Sequence, residues 1–129
     1  MIIDSSVIVA MMREEQDAAR ISEALRATSH PKISAATVLE TSIVVGANAH
    51  ESLDQLIASA GVEVVPFSLD HAHRARQAYL RYGKRSGSPA RLNFGDCMSY
   101  ALAKATGEPL LFKGDDFTHT DIEPALTPG

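Results

Sequence analysis

Asp4, Glu40, Asp96 and the pair Asp115-Asp116 are the residues of this 129-residue chain whose placement could do chemistry. Each lies just beyond an apolar, strand-like run or in the first turns of the helix that follows it. Carboxylates gathered at one edge repel, and without a partner some of them hold protons. A divalent cation removes that conflict, and hard oxygen donors with no His or Cys among them favour Mg²⁺ or Mn²⁺ over Zn²⁺. Each acid also has a purely structural reading. Asp96 could favour the positive end of a helix dipole, Asp115-Asp116 could be turn residues, and Thr37-Val38-Leu39-Glu40 matches a capping box. Asp4 is the hardest to explain in this way, because it ends an apolar strand. Ser6 and Asn93 are candidate donors that orient Asp4 and Asp96, or helix caps in their own right.

The elements that must position these acids follow from periodicity. Ile2-Ile3 reads as a central buried strand that stops on Asp4, with Ser5 or Ser6 capping a short helix bearing Val7, Ile8, Val9 and Met12. A helix over about 15–28 presents Ala18, Ile21 and Leu25, and Lys32 to Ser34 forms a second strand. Helices follow over about 35–49, with Val38, Leu39, Ile43 and Val45 as packing positions, and over about 51–60, stopped by Gly61. Val62 to Val65 is the third strand. Ser68 caps a helix to Tyr82, which Gly83 ends, and Lys84 to Arg91 is a surface loop and the most flexible stretch. Asn93 opens the helix from Gly95 to Thr106, terminated by Gly107. Leu110-Leu111-Phe112 is the fourth strand, and Ile122 begins a short last one before a Pro-containing tail. Alternating strands and helices give an α/β fold with a parallel sheet, in which right-handed crossovers bring the acid-bearing strand ends to one edge.

Composition bounds the rest. The length suits a single domain spanning residues 1–129 with its own core, and the apolar and charged fractions exclude disorder. Cys97 is the single cysteine, so an internal disulfide and a CxxC zinc site are excluded, and a small buried hydrophobe is its expected role. The histidines are scattered and read as solvent residues. No apolar run reaches membrane-spanning length, and a soluble cytoplasmic protein with no membrane partner is expected. The net charge of −4 argues against a nucleic-acid partner until its distribution is considered. From His71 through Gly95 there is no Asp or Glu, whereas Arg74, Arg76, Arg81, Lys84, Arg85 and Arg91 all fall there. Four ionised acids in one site would account for the whole net charge and leave the remaining surface balanced.

Met1-Ile2-Ile3-Asp4-Ser5-Ser6, Ser34-Ala35-Ala36-Thr37-Val38-Leu39-Glu40 and Leu92-Asn93-Phe94-Gly95-Asp96-Cys97-Met98-Ser99-Tyr100-Ala101-Leu102-Ala103 together resemble the PIN-domain ribonucleases. Among these the resemblance is closest to the VapC toxins of bacterial toxin–antitoxin pairs, and it covers the whole chain in order and spacing. It implies a PIN-like three-layer α/β/α sandwich with a central, mostly parallel sheet. It also implies an Mg²⁺- or Mn²⁺-dependent endoribonuclease, usually homodimeric and inhibited by a VapB-like antitoxin. By matching position Asp4 is the first acid, Glu40 the second and Asp96 the third, with Ser6 the supporting hydroxyl. The fourth acid departs from the family register, which falls on Gly114; Asp115 is the expected substitute and Asp116 the alternative.

The implied mechanism is metal-assisted hydrolysis of an RNA phosphodiester. Asp4 and Asp96 would hold the metal, while Glu40 and Asp115 would position the attacking water or accept its proton. Lys84, Arg85 and Arg91 would guide the backbone of a tRNA or rRNA substrate. Removing Asp4 is expected to leave the fold intact or firmer. The early helices, with Val9, Met11, Met12, Ile21 and Leu25, are either core or antitoxin groove. A receiver-type signalling domain is disfavoured, since Asp4 has no paired acid and strand three ends in Pro66-Phe67-Ser68. A PIN-like module that binds RNA or antitoxin without cutting is the other alternative, and retention of Asp4, Glu40 and Asp96 argues against it.

Overall fold

Alternate residues of two neighbouring strands face opposite sides of the sheet, and this divides the core in two. The structure, a computed structural model, describes residues 1–126. Strands β1 (Ile2–Ile3), β2 (Lys32–Ser34), β3 (Glu63–Val65) and β4 (Leu110–Leu111) form one parallel sheet in the order β3-β2-β1-β4. Ile2 and Leu110 point to one side, where helices α5 (Leu69–Tyr82) and α6 (Phe94–Thr106) supply Ala75, Ala78, Tyr82, Ala101 and Leu102. Ile3 and Leu111 point to the other. There α1 (Ser5–Met12), α2 (Ala18–Ala27) and α4 (His50–Ser59) contribute Val7, Ile8, Ile21, Leu25, Leu53 and Ile57. Helix α3 (Ala35–Val45) touches both α1 and α6. The result is the expected α/β/α sandwich, with β1 inside the sheet as its all-apolar sequence requires.

Several boundaries differ from expectation for local reasons. The helix expected from residue 15 begins at Ala18, because Glu14 takes φ +51° and the Glu15 N–H bonds to Ala10 O at 2.9 Å. The helix expected to reach residue 49 stops at Val45, where Gly46 adopts φ +87°, and a 3₁₀ turn (Ala47–Ala49) follows. Leu39 and Ile43 do not pack inward: they are 63% and 73% exposed, on the side of α3 opposite the buried Thr37 and Thr41. His71 is buried on α5 rather than solvated, its ring edge-on to Phe67 at 5.9 Å. Gly83 has an ordinary φ of −69°; a Cβ there would lie 2.4 Å from Tyr79 O, so it is required by close approach. In place of a last strand from Ile122, there is one bridge between Leu110 and Pro124. The end of the tail lies outside the described residues.

The loop from Lys84 to Arg91 is tied down more than its composition suggests. A bridge pairs Gly83 with Leu92, Ser86 Oγ donates to Gly83 O at 2.7 Å, and the Ala90 N–H donates to Ser88 Oγ at 3.1 Å. Ala90 and Leu92 are buried, which leaves Arg91 outward between two anchors at φ +50°. Among the described residues no helix is long and apolar enough to cross a membrane.

Ile3 is fully buried on the central strand and contacts the α1, α2 and α4 side of the core. Ile3→Ala is expected to lower unfolding free energy by about 2–5 kcal/mol, read from urea denaturation.

Candidate metal-binding active site

The parallel register sets the first carboxylate. Asp4 follows Ile3, its N–H donates to Leu111 O at 3.0 Å, and it is the N-cap of α1 at the sheet's carboxyl edge. Its Oδ2 accepts the Ser6 N–H at 3.1 Å and the Ser6 hydroxyl at 2.6 Å. Ser6 Oγ in turn accepts the Lys113 N–H at 3.0 Å, which joins the ends of β1 and β4 beside the acid. The expected support by Ser6 is therefore present as geometry, and Ser6 and the α1 cap are parts of one arrangement. The side chain of Asp4 is only 3% exposed. Because Asp4 caps α1, its removal sacrifices a cap of about 1 kcal/mol along with the charge repulsion it relieves.

Glu40 comes from α3, which Ser34 caps, so the Thr37–Glu40 capping-box reading does not hold. The helix instead carries Glu40 to α6 at Gly95. A Cβ on Gly95 would stand 1.7 Å from Glu40 Oε2, so the missing side chain is the space that the carboxylate occupies. Burial raises the Glu40 pKa, the charge of Asp4 raises it further, and a hydrogen bond from Ser5 opposes both. Its Oε1 is buried and has no hydrogen-bond partner.

Asp96 stands at the third position of α6 in a reciprocal capping box. Asn93 Oδ1 accepts the Asp96 N–H at 2.8 Å, and Asp96 Oδ2 accepts the Asn93 N–H at 3.0 Å. One oxygen is thereby committed to the helix terminus. Burial pushes the Asp96 pKa up to about 7, with the charges of Asp4 and Asp116 adding to it and the Asn93 N–H opposing. The Asp116 carboxylate lies within hydrogen-bonding reach of Asp96. Asp115, the first choice for the fourth acid, is exposed and precedes the 3₁₀ turn Asp116–His119, its carbonyl accepting the Thr118 hydroxyl at 2.6 Å. Of the two neighbours, Asp116 is thus the one whose charge is felt at Asp96.

The charge of Asp4 acts on both Glu40 and Asp96, which come from two other elements. Among the described residues no three acidic, His or Cys side chains form a closed ligand cluster. An open pair of carboxylates suits Mg²⁺ or Mn²⁺, which keep several waters, and does not suit Zn²⁺, which takes a tight tetrahedral N/S set. Glu40 Oε1 is a buried acceptor without a donor, and Asp96 is held protonated more readily by burial first and by the charges of Asp4 and Asp116 second. The chain's residues fit a hard divalent cation. Lys84, Arg85 and Arg91 are exposed on the loop that leads into α6 and so towards Asp96.

Sequence reasoning missed Ser99, Gly95 and Ser5. Ser99 Oγ donates to Asp4 Oδ1 at 2.5 Å, and its side chain is fully buried. Its signal was present: it lies three residues after Asp96, on the same helix face, as a hydroxyl within an otherwise apolar run.

The PIN domain family model matches residues 1–123. Ribonuclease VapC42 of Mycobacterium tuberculosis is 46% identical, over 98% of this chain and 100% of its own length. Ribonuclease VapC28 of the same organism is also 46% identical, over 98% of each chain. Among solved structures, M. tuberculosis VapC20, described as a sarcin-ricin loop cleaving toxin, superposes with a TM-score of 0.76. It has 16% identity and covers 94% of this chain and 95% of its own. A toxin–antitoxin complex from Klebsiella pneumoniae gives a TM-score of 0.71 at 18% identity, over 93% and 92%. These two share the fold. Carboxylates drawn from three elements to one sheet edge, a model match along nearly all of the chain and full-length relatives at 46% identity lead to one conclusion: this chain belongs to the PIN-domain family, within its VapC ribonucleases.

Proposed function

We propose that this protein is a divalent-metal-dependent endoribonuclease that hydrolyses RNA phosphodiester bonds as the toxin of a toxin–antitoxin pair. The observation that carries the reading is that Glu40 and Asp96, from two different helices, both feel the charge of the buried Asp4 at the end of β1, with Asp116 acting on Asp96 as well. Asp4 and Asp96 would hold Mg²⁺ or Mn²⁺. When bound, such a cation supplies Lewis acidity toward a phosphoryl oxygen and the attacking water. Glu40, half-buried and with its pKa raised by burial and by Asp4, is suited to accept that water's proton. Asp116, whose charge acts on Asp96, takes the fourth-acid role in preference to Asp115. Ser6 and Asn93 keep Asp4 and Asp96 in place, as their hydrogen bonds support.

The proposed partners are a structured cellular RNA such as tRNA or rRNA, a VapB-like antitoxin and a second copy of the chain. Two surfaces support the protein partners. A groove of about 280 Å³ between α1, α2 and α4, lined by Met11, Leu25, Arg26 and Leu56, suits an antitoxin segment. In that region Ile21 and Leu25 are buried core, while Val9, Met11 and Met12 are half-buried. On the other side, the exposed Leu39, Ile43, Val44 and Phe94 form an apolar strip suited to the homodimer.

Purified wild type incubated with a tRNA and rRNA pool is expected to cleave in Mg²⁺ or Mn²⁺ and not in EDTA. Asp96→Asn, which keeps the capping acceptor, should not cleave under any of these conditions. Equal cleavage by the variant, or by wild type in EDTA, rejects the mechanism. Replacing Lys84, Arg85 and Arg91 together should reduce the slope of log binding constant against log salt by up to about 3, measured by filter binding across a salt series.

The pH dependence follows from the raised pKa of Asp96. In the metal-free protein the folded state holds this proton more tightly than the unfolded chain, whose pKa is the ordinary 3.8. Its contribution to stability is therefore present at low pH and lost as pH rises from about 4 to about 7. Thermal unfolding in EDTA should show about 1–3 kcal/mol lost over that range, with recovery on adding Mn²⁺ and a flatter profile for Asp96→Asn.

A further inference from the structure

Asp4 accepts one hydroxyl on each oxygen, and the two hydroxyls come from different places. Ser6, two residues along the chain, binds Oδ2 at 2.6 Å, whereas Ser99, from the middle of α6, binds Oδ1 at 2.5 Å. Ser6 is part of the local cap. Ser99 is a long-range contact and is fully buried, one helical turn after Asp96. Its Oγ also lies 3.4 Å from Thr37 Oγ1, and Thr37 is fully buried one turn before Glu40 on α3. A serine hydroxyl has one proton, and an ionised carboxylate can only accept. The Ser99 proton therefore goes to Asp4, and Thr37 is the donor in the second contact. Thr37, Ser99 and Asp4 form a one-way chain of hydroxyls joining the three elements that carry the second, third and first acids.

We propose that Ser99 is a positioning residue of the metal site: its hydroxyl holds Asp4 in register with Asp96 and Glu40, so that the Asp4 oxygens keep their remaining lone pairs for a divalent cation. The inference rests on the metal-dependent reading above and extends it. Asp96 and Ser99 share one face of a rigid helix, so the Ser99 contact fixes the offset between Asp4 and Asp96. Without it, Asp4 keeps the two Ser6 hydrogen bonds on Oδ2, but Oδ1 loses its one tie to α6. A ligand oriented by such an outer contact commonly loses 10–100-fold in metal affinity when the contact is removed.

The test is Mn²⁺ binding to the full chain, followed by electron paramagnetic resonance of free Mn²⁺, for wild type, Ser99→Ala, Ser99→Cys, Ser99→Thr and Asp4→Asn. Circular dichroism checks folding, and RNA cleavage is measured alongside. Ser99→Ala should weaken Mn²⁺ binding about tenfold and lower kcat, with KM for RNA unchanged; Ser99→Thr, which keeps the hydroxyl, should restore affinity. A purely structural serine would instead lower thermal stability at unchanged Mn²⁺ affinity, and that result overturns the proposal. If Ser99→Ala does not fold, Ser99→Cys preserves the volume with a weak donor, and wild-type Mn²⁺ affinity in that variant is equally fatal. Wild type that binds Mn²⁺ without cleaving RNA defeats the ribonuclease reading but leaves the Ser99 role standing. Wild type that binds no Mn²⁺ overturns both.

Discussion

Placing carboxylates against one another out of water is the constraint on which the rest of this structure depends. Asp4 is buried at the end of a fully apolar strand, and its charge raises the proton affinity of both Glu40 and Asp96. Such an arrangement is costly in the metal-free protein, and the chain offsets the cost with hydrogen bonds from fixed donors. Ser6 and Ser99 serve Asp4, the Asn93 N–H serves Asp96, and Ser5 serves Glu40. The donors do not satisfy every oxygen, since Glu40 Oε1 remains unpaired. That residual deficit is what a bound divalent cation would correct, and it would tie folding to metal binding through the same side chains.

The site uses ordinary helix termini as scaffolding. Asp4 caps α1, and Asp96 with Asn93 forms the capping box of α6. The structural and functional readings of these acids therefore hold together: a cap places a carboxylate at a helix start with one oxygen engaged by the helix terminus. Glu40 is different. It lies inside α3 and reaches α6 only because Gly95 has no side chain in its way. One glycine thus decides whether the second acid can join the first and third.

Charge and polarity are also segregated over the surface. The acids gather at the sheet edge, while the exposed lysine and arginines of the Lys84–Arg91 loop flank the start of α6. Two other cations of the basic stretch are tied to carboxylates: Arg74 to Asp70 at 2.9 Å, and Arg81 to Asp121 at 3.8 Å. Within that stretch, sequence density of positive charge overstates the charge available to a phosphate backbone. The apolar strip of Leu39, Ile43, Val44 and Phe94 lies beside Glu40, and together they line one cavity of about 340 Å³. Protein contact at that strip would therefore abut the carboxylate edge of the sheet.

The strand–helix alternation, the central position of Ile2-Ile3 and the caps at Asn93 and Gly107 were legible in the sequence, because they follow from short-range periodicity and local backbone chemistry. So was the set Asp4, Glu40 and Asp96, since each is tied to the end of a strand and parallel crossovers return those ends to one edge. Long-range side-chain geometry was not legible. Leu39 and Ile43 have core-like composition yet face outward, because the buried side of α3 is set by where α1 and α6 lie. The choice between Asp115 and Asp116 depends on a 3₁₀ turn that aims one of them at Asp96. Ser99 and Gly95 acquire their roles only from partners 95 residues and a helix away, respectively. The sequence by itself determined which acids exist and which edge they reach, for those depend on local chain direction; tertiary packing alone decided which hydroxyls hold them, for that depends on distances between elements that no local pattern encodes.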